Sequence, residues 1–64
     1  MLITLRACRV NAGYTLANAS RELEISPATL RGWEKGKSKP TKKRMIEAIE
    51  SLYGIKKENI KELN

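Results

Sequence analysis

Sixty-four residues with a formal net charge of +6 make one small domain, near the lower end of what folds on a single hydrophobic core without staples. One cysteine and no histidine exclude an intramolecular disulfide and a Cys/His metal cluster. Seven glutamates with no aspartate offer no evident nucleophile-base pair or metal-carboxylate cluster, so neither an enzyme nor a bound metal or cofactor is expected.

The charge is unevenly placed. Residues 1–30 net +1, residues 31–44 net +6 and residues 45–64 net −1, so fourteen residues hold the whole formal charge. The opening MLITLRACRV lacks the basic-then-apolar run of a signal peptide, and no stretch approaches the roughly eighteen apolar residues of a membrane span. A cytoplasmic protein with no membrane association is expected, with Cys8 a small buried apolar group in a reducing compartment.

Punctuation and periodicity mark about five short helices and nothing that reads as a strand pair. Leu2, Leu5, Cys8 and Ala12 fall near helical spacing, and Gly13 suits a left-handed closing residue, which predicts a first helix over about 3–12. Thr15 offers a hydroxyl cap to a second helix, about 15–23, with Leu16, Ala19, Ser20 and Leu23 on one face. Ser26-Pro27 is a strong start signal: serine accepts from free first-turn amides, and proline sits where no amide donor is needed.

The third helix then runs about 27–34, with Leu30 and Trp33 pointing one way and Ala28, Arg31 and Gly32 mostly the other. Gly36 terminates it and residues 37–40 form a loop. Thr41 is expected to cap a fourth helix that buries Met45, Ala48, Ile49 and Leu52 and stops around Tyr53 and Gly54. Its basic first turn, Lys42-Lys43-Arg44, opposes the helix dipole, which suggests that these charges serve something outside the helix. A last helical segment covers about 56–62, with Ile55, Ile60 and Leu63 as its apolar contacts.

Helix two, the corner Glu24-Ile25-Ser26 and helix three form a helix-turn-helix by length and pattern. In order, Leu5, Cys8 and Arg9, then Thr15, Leu23, Ile25-Ser26, and finally Trp33, Glu34, Gly36 and Pro40 resemble the phage repressor and Cro-like helix-turn-helix family, often called XRE. The resemblance runs from about Leu5 to Leu52. It implies an all-α, lambda-repressor-like DNA-binding domain over 1–64 and a structural ion pair between Arg9 and Glu34. It also places base contacts at Pro27, Ala28, Arg31 and Gly32, with Thr29 adjacent.

This chain departs from many relatives, which carry glutamine at several such positions. Pro27, Ala28 and Gly32 have no side-chain donor, so Arg31 alone could grip a base edge, typically guanine O6 and N7. A solvated or phosphate-facing Arg31 is the alternative. Ala28 could meet a thymine methyl, and Gly32 would let the helix approach closely. Leu16 stands where relatives often anchor phosphate with glutamine, leaving the Thr15 hydroxyl as a substitute, and Glu24 stands where the corner usually has glycine.

Taken singly, a surface lysine is usually just solvated. As a set, Lys35, Lys37, Lys39, Lys42, Lys43 and Arg44 point to phosphate contacts, with Ser26 and Thr41 as hydroxyl partners. Trp33 reads as a packed cap, and two tyrosines make no stacking platform for single-stranded RNA.

The expected function is a sequence-specific regulator of double-stranded operator DNA, Cro-like and from a phage or mobile element. A homodimer is expected at least on DNA, with Ile55, Ile60 and Leu63 as contacts. The competing reading is a protein-interaction module, antirepressor or antitoxin-like, favoured by the sparse polar content of helix three.

Overall fold

In the computed structural model, which describes residues 1–64, the first helix starts later than its periodicity suggests. Thr4 is the cap of α1 (Leu5–Asn11), its Oγ1 accepting from the Ala7 amide at 3.1 Å. Leu2 lies outside the helix and is 52% exposed, so it contributes nothing to the core face. At the far end Gly13 takes the left-handed conformation, and the Tyr14 amide closes back on the Arg9 carbonyl at 3.1 Å.

The cap signals at Thr15 and Ser26 act as read. Thr15 Oγ1 accepts from the Asn18 amide and starts α2 (Leu16–Leu23), while Ser26 Oγ accepts from the Thr29 amide and starts α3 (Pro27–Glu34). Between them Glu24 is left-handed at φ 59°, ψ 41°, a conformation that the other three helix ends give to Gly13, Gly36 and Gly54. A side chain there costs about 1–2 kcal/mol, and the larger unfolded-state freedom of glycine offsets part of any gain from removing it. Glu24→Gly is therefore expected to raise unfolding free energy by about 0.5–1 kcal/mol in urea titration. A variant no more stable than the parent would show that this corner is not strained.

Thr41 does not cap the fourth helix. Pro40 is buried, the chain is extended at Lys42 (φ −84°, ψ 132°), and α4 (Lys43–Tyr53) begins with no side-chain cap. Ile49 and Tyr53 are its buried residues, with Met45, Ala48 and Leu52 half-buried against the core. No helix is long and apolar enough to cross a membrane.

The expected fifth helix is replaced by two 3₁₀ turns, Lys57–Asn59 and Lys61–Leu63, separated by an extended Ile60. The interruption has a nonlocal cause: the Ile3 amide donates to Asn59 O at 2.7 Å and the Lys61 amide to Ile3 O at 2.8 Å, an isolated parallel bridge that holds Ile60 extended. Glu62 then reaches the start of α1, accepting from the Leu5 amide at 2.6 Å. Ile60 is 0% exposed within the monomer, so it closes the core and offers no surface to a second copy.

The core comprises Leu5, Cys8, Ala19, Leu23, Leu30, Trp33, Ile49, Tyr53 and Ile60, with α2 presenting only small residues, Ala19 and Ser20, beside Leu23. Burial, with Glu62 nearby, pushes the Cys8 thiol pKa up. The Tyr53 hydroxyl is buried with no hydrogen-bond partner, and burial, reinforced by the Glu34 charge, raises its pKa from 10.0 to about 12. Native Tyr53 thus keeps its proton where the unfolded chain has lost it. Its contribution to stability is complete below pH 10.0 and is lost as pH rises toward about 12. Tyr53→Phe should remove this alkaline loss and, by deleting an unpaired buried hydroxyl, raise stability by about 1 kcal/mol at neutral pH. Urea titrations at neutral and alkaline pH read both effects, and a destabilised Phe variant would show that the hydroxyl has a partner.

Candidate nucleic-acid interface

The α2–α3 unit places a short helix with its apolar side inward. Leu30 and Trp33 are buried, whereas Pro27, Ala28, Thr29 and Arg31 are exposed. Thr29 Oγ1 lies 2.9 Å from Ser26 Oγ, so the two hydroxyls share a hydrogen bond at the tip of the helix.

Gly32 is not the open patch its residue type suggests. The end of α3 closes through a left-handed Gly36, with the Lys37 amide donating to Gly32 O at 3.0 Å, and this turn folds the loop back over the helix. Ser38 Oγ consequently lies 3.3 Å from where a Gly32 Cβ would be. Ser38 is exposed and its hydroxyl makes no hydrogen bond within the chain, so a polar group stands beside Gly32 after all. Only the fold of the loop brings it there, and no spacing rule in the sequence signals it.

Arg9 and Glu34 meet beneath this surface. Arg9 Nε donates to Glu34 Oε2 at 2.7 Å and Nη2 to Oε1 at 3.2 Å, while Nη1 donates to Tyr14 O at 3.0 Å. The side chains are only 11% and 8% exposed, and the hydrogen bonds to Glu34 raise the Arg9 pKa above its ordinary value despite burial. The pair ties α1 to the end of α3.

Lys35, Lys37, Lys39, Lys42, Lys43 and Arg44 are all exposed, and none has a carboxylate within salt-bridge distance, since Arg9–Glu34 is the only such pair. Lys39 Nζ donates to the Asn64 carbonyl at 3.3 Å. Thr41 is exposed at the loop end. The amides of Lys43 and Arg44 find no acceptor in the chain, so α4 presents bare donors beside three cationic side chains. Thr15 and Ser26 use their oxygens as helix-cap acceptors. This leaves the Thr15 hydroxyl proton free to donate outward.

Two capped helices joined by a three-residue corner, the second exposing its outer face beside unpaired positive charge, define a helix-turn-helix domain. A helix-turn-helix family model matches residues 5–58, and the chain belongs to that family, the XRE group of Cro/C1-type DNA-binding regulators. Comparison with curated proteins and with solved structures returns no significant match.

Proposed function

We propose that the protein is a Cro-like repressor of a phage or mobile element, acting in the cytoplasm on a double-stranded operator, with α3 in the major groove and residues 35–44 along the backbone. The observation that supports this most directly is the set of six exposed basic side chains, none in a salt bridge, between the end of α3 and the first turn of α4. Phosphate neutralisation by such groups supplies affinity without sequence information.

Specificity comes from a different set. Pro27 and Ala28 offer apolar contact and close approach, suited to a thymine methyl, and the Thr29 and Ser38 hydroxyls add donors that fit either base type. A two-fold operator requires two copies of α3 one helical turn apart, so the protein acts as a homodimer on DNA, with Ile55 and Leu63, half-buried against the core, as its apolar contacts.

The alternative, an antirepressor or antitoxin-like interaction module, draws on the lack of long polar side chains at Pro27, Ala28 and Gly32. Fragments flanking the protein's own gene, competed against an unrelated duplex at two salt concentrations, separate the readings. The operator reading expects one fragment to be retained preferentially at both. Equal retention of all fragments would remove it in favour of the interaction module.

A further inference from the structure

Gly32 is the one glycine that lies inside a helix of this chain. Glycine there is destabilising relative to alanine, so its presence calls for a reason. The reason lies in how α3 ends. The Gly36 amide donates to Trp33 O at 3.1 Å and the Lys37 amide to Gly32 O at 3.0 Å, the paired bonds of a Schellman turn around the left-handed Gly36. Such turns are commonly closed by an apolar contact between the two residues that stand here as Gly32 and Lys37. Glycine cannot make it. Ser38 Oγ takes up that side-chain space instead, 3.3 Å from where the Cβ would be, so an added methyl group would press on the hydroxyl.

By helical spacing Gly32 shares the outer side of α3 with Ala28, Arg31 and the capping Lys35, opposite the buried Leu30 and Trp33. That side holds two cations, which can only donate, and two residues with no hydrogen-bonding side chain. At the tip of the helix the hydroxyls are engaged, since Ser26 Oγ accepts from the Thr29 amide and also bonds Thr29 Oγ1. Ser38 is exposed and bonds nothing in the chain, so its hydroxyl is free both to donate and to accept.

We propose that Ser38 is a specificity-determining residue that reads a base edge in the major groove across the space left by Gly32, and that Gly32 is the positioning residue that keeps this space open. The assignment rests on the operator-binding reading and deepens it: the second turn of α3 reads sequence with a side chain supplied by the loop. Phosphates are matched by the lysines and arginine of residues 35–44, whereas a neutral hydroxyl set against the outer side of the recognition helix suits a base edge, where serine meets donors and acceptors alike.

The test compares the parent with Ser38→Ala, Gly32→Ala and the Gly32→Ala/Ser38→Ala double variant. Each is titrated against the preferred gene-flanking fragment, every single base-pair change of that fragment, and a random-sequence duplex over a salt series. Ser38→Ala should weaken binding to the preferred fragment about fivefold, flatten the preference at one base pair, and leave the random duplex and the salt slope at parental values. Gly32→Ala should flatten the preference at the same base pair while melting at or above the parental temperature, because alanine is the better helix former. The double variant should lose no more than either single change, since both remove one shared contact.

Equal weakening of Ser38→Ala on the preferred and random duplexes would overturn the proposal by placing the hydroxyl on a phosphate. A Gly32→Ala loss at other base pairs would overturn the role of the glycine, because the added methyl would then meet the DNA itself. If the parent discriminates among fragments and Ser38→Ala does so identically, the serine is merely solvated and this proposal alone falls. If the parent prefers no fragment, the operator-binding reading falls and the proposal with it.

Discussion

Glu34→Ala is expected to lower the unfolding free energy by about 3 kcal/mol, enough to leave much of a domain this small unfolded at room temperature. Arg9 is the reason. Its guanidinium is nearly buried, and with the carboxylate gone only the Tyr14 carbonyl remains to satisfy it. Removing one partner of a buried pair leaves an uncompensated charge, which costs more than the pair itself contributes. The double variant Arg9→Met/Glu34→Leu should therefore lie much closer to the parent than either single change. Urea titrations of the three variants measure this, and a Glu34→Ala protein within about 0.5 kcal/mol of the parent would show the pair to be effectively at the surface.

The other large effect concerns affinity with the fold left intact. Lys42, Lys43 and Arg44 sit at the start of α4, exposed and unpaired, beside amides that have no acceptor. Neutralising all three to glutamine should weaken duplex binding on the order of 10²-fold at 0.15 M salt and reduce the salt slope by about 2.7, as expected for three lost phosphate contacts. Folding should survive or improve, because positive charge at a helix N-terminus opposes the dipole. Far-ultraviolet circular dichroism with thermal melting checks the fold, and fluorescence anisotropy checks the binding. Unchanged affinity in a folded triple variant would take these groups out of the interface.

Residues whose role is settled within a few positions were legible in the sequence. Thr15, Ser26-Pro27 and Gly13 act through hydrogen bonds and backbone angles of their own turns, and the structure uses them as read. Errors fell where distant packing decides. Thr41 has a capping hydroxyl, yet the chain is still extended at Lys42 and α4 begins only at Lys43. Ile60 fits a helical repeat with Ile55 and Leu63, but its bridge to Ile3 holds it extended in the core.

The interface divides in the same way. Its charge is visible by counting, since exposed lysines and arginines need no partner to be recognised. The surroundings of Gly32 are not, because they depend on what the folded chain sets beside it, a loop serine whose hydroxyl stands against the glycine.

The central claim is that the basic surface from the end of α3 to the first turn of α4 grips DNA phosphates. Affinity of the unmodified protein for a duplex, measured from about 50 to 200 mM salt, tests it most directly. With about four phosphates engaged per monomer, log affinity should fall against log salt with a slope near −3.6 or steeper. A slope near zero, or no binding at the lowest salt, would contradict it.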